Sequence, residues 1–484
     1  MLKSKIPKRP GPKRPTLLGG SALDLSFAAI ALCGMAAFAV VFAKERLYAD
    51  GAYFLIQVIK TEGFHVINGR WLIPLIQWSP LTGVHLGLPM EALIVLVSLA
   101  NVVLAAALYL FVVRYLRDHA AGMVLLATQF VGLTHALFCP IFEFYYGAML
   151  LVVFVAVLRS TQLPVIARNV ILGTLFILIA SSHFMGLLTL LFVLTLERIW
   201  QHKRLALVLA ALLVLQLAHR LLFLSEYESD AFEKVFTRLS EWGLAWIFAP
   251  GRLAGHGLHA LAHYPDTVLL ASVATIALIR LRDVRSLVLL LSGLFTMYVL
   301  ISLFFPDATH GRYREIVDYA PTVWTLMVIA SRVMAHGRMH HLVLALLSLI
   351  FIYRMAWSVH VAAAYTDRVA WMEQHIENAR SFGIRRGIVL DRGHFLPPGH
   401  HVAPLEPLSV NEALLLSACQ GPEGVVVLVP MTESELRPDL TPWLNAKLAT
   451  YGTELPADPN GRYFRMPRGD FQVMLLRTSA ANEH

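Results

Sequence analysis

Ionisable side chains are scarce in the long apolar runs of this sequence, and those present cluster near one end of the runs. Asp50 follows the first run, with Tyr53 and Arg70 in the segment after it. Glu143 opens a later run in CPIFEFYYG, and His183 sits in SSHFMG between two apolar stretches. His219 and Arg220 close another run. His310, Arg312 and Arg314 fill the short stretch PDATHGRYRE, and Arg354 lies inside the last run. A carboxylate can take a proton from a hydroxyl nucleophile. Arginine, permanently charged and able to donate two parallel N–H bonds, is suited to hold phosphate. A lipid-phosphate leaving group needs its charge stabilised as its bond breaks. The set therefore suits sugar transfer from a polyprenyl phosphate to a hydroxyl. Asp50 is the candidate base. Arg70, His183, Arg220, His310, Arg312, Arg314, Arg354, Glu143 and Tyr53 are the candidates for donor-phosphate or substrate binding.

A second group, His256, His259 and His263 in GRLAGHGLHALAHYPD, recurs at i, i+3 and i+7, with Asp266 close behind. That spacing puts three imidazoles on one helical face and makes them a weak candidate for a divalent metal. The competing reading is an interfacial helix with a polar face, since no Cys or Glu stands at ligand spacing beside the histidines. Divalent metal is the one cofactor this leaves open. Neither a G-x-x-x-x-G-K-[ST] loop nor a G-x-S-x-G elbow occurs, so ATP-driven transport and serine hydrolysis lack support.

The elements that must position these residues are apolar helices. The 484 residues are 57% hydrophobic and 15% charged, with a mean hydropathy of +0.62, outside the range of a soluble domain. Runs long enough to cross hydrocarbon recur from Ala22 to Ala364. They read as about eleven spans, near 22–43, 90–113, 120–139, 141–158, 169–182, 184–200, 205–222, 266–281, 286–305, 316–333 and 341–362. Lys and Arg fall in alternate short loops, beginning with the basic tail MLKSKIPKRPGPKRP. The positive-inside rule then places residues 1–21 in the cytoplasm and the chain beyond 366 outside. The basic excess is explained by topology and does not call for a nucleic-acid partner. Three cysteines, Cys33, Cys139 and Cys419, make no disulfide framework.

Two long segments, 44–89 and 223–265, face the outer side, and residues 22–365 make one transmembrane domain. Ala52, Phe54, Leu55, Val58 and Ile59 have helical spacing suited to a helix lying in the interface. The segment 229–248 has a similar pattern. In 366–484, strand-like runs at 386–391, 424–430 and 471–476 predict a small α/β domain.

This arrangement resembles the GT-C superfamily of membrane glycosyltransferases, and most closely the branch with protein O-mannosyltransferases and the lipid A aminoarabinose transferase. The string ADGAYFLIQVIKTEGFHVINGRWLIPLIQWSPLTGVHLGL carries Asp50, Tyr53, Gly69 and Ser79-Pro80-Leu81 in the order of that branch's first outer loop. GRYREIVDYAPTVW, with Arg312, Tyr313 and Pro321, is similar to its late RY-x-x-P-x-x-P stretch. SSHFMG is similar to its small-residue hairpin. The resemblance implies a GT-C fold, Asp50 as catalytic base, inversion at the anomeric carbon, and outer arginines on the lipid phosphate. It implies a polyprenyl-phosphate sugar donor, an acceptor glycan, lipid or protein, and a place in the bacterial inner membrane. Two positions depart from the pattern. Gly51 follows Asp50 where relatives pair Asp with Glu, which bears on metal binding. His183 stands where relatives have Lys, which bears on donor contacts.

Two other functions use similar parts. A polysaccharide polymerase or ligase would lean on Arg312 and Arg314 and would not require Asp50. A lipid or sugar transporter would show polar residues at the bilayer midplane and two related halves, and the sequence has neither.

Overall fold

The computed structural model describes residues 22–67, 69–222, 226–305, 312–390, 408–431, 435–436, 439–450 and 461–474. His310 lies outside them, and of Arg312 only its backbone is described.

The chain is a helical, membrane-embedded protein with a small parallel sheet near its C-terminus. α1 (Ala22–Val41) leads into a short turn and then α2 (Asp50–Thr61), α3 (Pro74–His85) and α4 (Met90–Leu110). α5 (His119–Ala127), α6 (Glu143–Arg159), α7 (Val165–Ser182), α8 (Phe184–Leu196) and α9 (Lys203–Leu222) follow. Next come α10 (Glu226–Ile247), α11 (Pro250–His263), α12 (Pro265–Arg280), α13 (Val284–Phe304), α14 (Arg312–Val328) and α15 (Gly337–Ser381). Among the described residues, five helices are long and apolar enough to cross a membrane. α11 and α12, meeting at 102°, make a sixth if taken as one bent span. Asp118 and Asp283 start α5 and α13 by accepting from Ala121 N (2.9 Å) and Ser286 N (3.1 Å), the usual role of an N-cap carboxylate. α6 is buried at every residue from Glu143 to Val157 and forms the centre of the bundle, as expected of a helix apolar all round.

The expected segments fall on helices with one exception. The run 120–139 is not a span. α5 ends at Ala127, and residues 128–142 are buried but form no helix beyond a single 3-10 turn at His135–Leu137. Backbone groups buried this way need partners from within the protein. Two carboxylates supply them. Glu315 accepts from Thr134 N (3.1 Å), His135 N (2.9 Å) and Ala136 N (2.7 Å), and Asp266 accepts from Gly132 N (2.8 Å). Gly132 has φ +68°, and a Cβ there would collide with the Thr322 hydroxyl.

α15 differs from expectation in the other direction. Its 45 residues run unbroken through position 366, where a domain boundary was expected. At 1.5 Å per residue it is about 68 Å long, against about 30 Å of hydrocarbon, so it carries the chain well beyond the bundle. There β1 (Arg386–Val389) pairs in parallel with β2 (Val427–Pro430) and β3 (Gln472–Met474), in the order β2-β1-β3. These strands coincide with the three predicted runs. α16 (Leu408–Ala418) packs on β2 and also on α2, and α17 (Leu440–Thr450) completes the domain. α2 is thus enclosed by α3 and α16, and its residues Phe54 to Ile59 are all buried.

Candidate active site

The first loop is built around a tight reversal. A short turn, Glu45–Leu47, buries Arg46, which donates to the carbonyl of Leu137, to Ser98 O (3.1 Å) and to Asn101 Oδ1 (2.9 Å). Gly51 N then bonds Tyr48 O (3.2 Å), closing a four-residue turn with Ala49 at its second position. Asp50 opens α2, where a carboxylate complements the helix dipole. Tyr53 lies one turn on. Burial, and then the Asp50 charge, raise its phenol above the ordinary value. The Tyr53 hydroxyl and His65 Nε2 share a hydrogen bond of 3.2 Å. The return segment is pinned at His65, whose N–H donates to Gln77 Oε1 (2.7 Å) and whose carbonyl accepts from Gln77 Nε2 (2.9 Å).

This segment delivers Arg70 to the start of α6, where its Nη1 donates to Glu143 Oε1 at 2.6 Å. Both side chains are largely buried. Gly69, at φ +65°, makes the bend before it and faces His219, whose Cε1 would lie 3.4 Å from an added Cβ. His183 occupies the break between α7 and α8, its Nδ1 accepting from Met185 N (3.2 Å). Arg220, in the last turn of α9, donates to Ala180 O at 3.0 Å, in the last turn of α7 before that break. Phe144, next to Glu143, sets its ring 6.4 Å from that of His183. Four residues singled out from four distant stretches, Arg70, Glu143, His183 and Arg220, therefore converge. Two guanidinium groups against one carboxylate leave an excess positive charge, an arrangement able to take a phosphate oxygen.

Two other candidates, Arg354 and Arg314, go elsewhere. Arg354 does not join the group. It is fully buried and paired with Asp266, donating from Nε to Oδ2 at 2.7 Å and from Nη2 to His263 O at 3.1 Å. With its donors occupied it holds the 128–142 loop, not a substrate. Arg314 pairs with Asp318 (Nε to Oδ2, 3.1 Å) and meets His256 Nδ1 at 3.0 Å. These residues line a cavity of about 230 Å³ with His259, Tyr264 and Tyr298. The histidine set His256, His259 and His263 is accordingly not arranged as a metal site. A guanidinium stands against His256, and His259 turns toward Asp318 at 3.5 Å. Among the described residues, no group of three or more His, Cys, Asp or Glu is placed to hold a metal ion.

Sequence reasoning missed Glu315, Asp318 and Glu412. The first two lie inside the quoted RYREIVDYAP string and could have been flagged as acids at the start of a span. Glu412 sits in LSVNEALLLSA, an unremarkable helix pattern, yet its Oε1 accepts from Ala49 N at 2.9 Å.

No protein-family profile, no curated protein and no solved structure matches the chain.

Proposed function

We propose that the protein is an inverting glycosyltransferase of GT-C type, moving a sugar from a polyprenyl-phosphate donor to an acceptor hydroxyl. Asp50 would take the proton of the acceptor hydroxyl. The oxygen would attack the anomeric carbon from the face opposite the phosphate, and the bond between that carbon and the phosphate oxygen would break. The lipid phosphate would leave with the bonding pair, its charge received by Arg70 and Arg220. The observation that carries this reading is the convergence of Arg70, Glu143, His183 and Arg220, with Arg70 fixed by the same segment that packs on Tyr53. Electrostatic stabilisation by preorganised donors is commonly the largest contribution to such a step. In this reading the chain is embedded in the bacterial inner membrane by the apolar helices described above. The N-terminus is cytoplasmic, and α16 and the sheet lie on the outer face.

The test is transfer by the purified protein in lipid nanodiscs supplied with a radiolabelled polyprenyl-phosphate sugar pool. D50N should abolish transfer while leaving the folded protein intact. Full activity in D50N would end the assignment. A second reading, a polymerase or ligase on lipid-linked substrates, is favoured by the cavity at Arg314. It predicts instead that R314Q abolishes turnover and D50N does not.

A further inference from the structure

Ala49 has φ +55° and ψ −111°. With the Gly51 N to Tyr48 O bond, this is the geometry of a type II′ turn, whose second position ordinarily takes glycine. An alanine there is strained, and such strain persists only when the surroundings over-determine the conformation. The surroundings here come from the far end of the chain. Glu412 of α16, 2% exposed, accepts the Ala49 N–H with Oε1 and pairs with Arg368 of α15 through Oε2. Arg368 lies 4.9 Å from the centroid of the Tyr48 ring. Tyr365, one turn earlier on α15, meets the same ring edge-on at 5.3 Å. Thr366 Oγ1 donates to Glu45 Oε1 at 3.0 Å. On the other side Gly51 abuts the Arg46 carbonyl, 2.7 Å from where a Cβ would stand. The two residues flanking Asp50 are thus each locked, one of them by the C-terminal domain.

We infer that Glu412 is a positioning residue. It clamps the strained Ala49 turn, so that docking of α16 fixes where Asp50 is presented. The inference deepens the glycosyltransferase reading by giving the C-terminal domain a role at the same site. The clamp itself is a conformational claim and is tested without turnover. A buried ion pair that loses one partner destabilises strongly, whereas replacing both by apolar groups is tolerated. Two double variants therefore isolate the acceptor. R368M/E412Q keeps an acceptor for Ala49 N–H, and R368M/E412L removes it. Hydrogen exchange at residues 49–53 should be at least about tenfold faster in R368M/E412L than in R368M/E412Q. Adding A49G, which adopts the turn without strain, should restore exchange to within about twofold of R368M/E412Q. Equal exchange in the two double variants, or failure of A49G to restore it, would overturn the clamp. If R368M/E412L does not fold, A49G alone decides. Relief of strain should raise the unfolding midpoint by at least about 2 °C, and an unchanged or lower midpoint overturns the proposal. In the transfer assay, R368M/E412L should lower kcat at least about tenfold with donor KM within about twofold, since Arg70 and Arg220 are untouched. A KM increase with kcat unchanged would contradict the positioning role. D50N retaining transfer would remove the enzymatic reading but leave the exchange result to judge the clamp by itself.

Discussion

Arg354 of α15 and Asp266 of α12 form an ion pair with both side chains out of solvent, and the same Asp266 oxygen that takes Arg354 Nε also takes the Gly132 N–H. The pair joins two helices to the buried non-helical stretch 128–142. Removing one partner leaves a buried charge uncompensated, at a cost of about 3–5 kcal/mol. D266N should therefore sharply reduce the yield of monodisperse protein, measured by size-exclusion chromatography and thermal unfolding in detergent. R354M/D266L should recover most of the loss. If D266N alone matches the wild type, the pair does not hold the loop.

Arg70 and Glu143 make a different kind of pair, each more exposed than Arg354. R70A alone would leave Glu143 without its partner, so R70A/E143Q is the cleaner variant. It should fold normally by circular dichroism and lose about 10²–10³-fold in kcat/KM for the lipid-linked donor, the cost typical of removing one preorganised donor. R70K should rescue little, because an ammonium cannot reproduce the forked donation. Wild-type turnover in R70A/E143Q would show that the phosphate is held elsewhere.

Much of the candidate site was legible because ionisable groups at the ends of apolar runs are expensive and stand out. That signal found Glu143, His183 and Arg220, while Arg70 came from the loop segment after the first run. It misplaced Arg354, since a cost visible in sequence does not reveal whether a substrate or an internal carboxylate offsets it. The apolar run 120–139 read as a span because hydropathy reports burial, not backbone conformation. Partners remote in sequence let that segment stay buried without a helix: Glu315 and Asp266 take its amides, and Arg46 donates to its Leu137 carbonyl. The strand runs in the tail were legible from their β-branched residues. Glu412 was not, because nothing in an ordinary amphipathic pattern announces a contact with position 49.

His65 gives the first loop a pH dependence. Its pKa lies below the ordinary 6.5, chiefly through burial and secondarily through Lys60. The fold thus favours the neutral ring, and the unfolded chain binds more protons in the interval between the two values. Stability is full above the unfolded value and is lost as pH falls through 6.5 toward the depressed folded value. The protection of residues 63–67 and 69–77 against hydrogen exchange, relative to the intrinsic rate at each pH, should therefore fall between pH 7.5 and 5.5. H65Q should flatten that dependence. An identical pH profile in H65Q would show that another group is responsible.

Glu315 tests whether buried loops at membrane depth are held by carboxylates. Its two oxygens accept from Thr134, His135 and Ala136, three consecutive amides of the 128–142 stretch. A glutamine is isosteric but offers one acceptor oxygen, and its NH₂ would face N–H donors. E315Q should cost about 1–3 kcal/mol for each amide left unsatisfied in the interior. The loss should appear as a lower thermal midpoint and faster exchange confined to residues 132–137, with α13 and the C-terminal sheet unaffected. E315D, which keeps both oxygens but shortens the reach, should fall between E315Q and the wild type. Equal stability of E315Q and wild type would mean that the three amides find other acceptors, and the carboxylate would then be unnecessary to the loop.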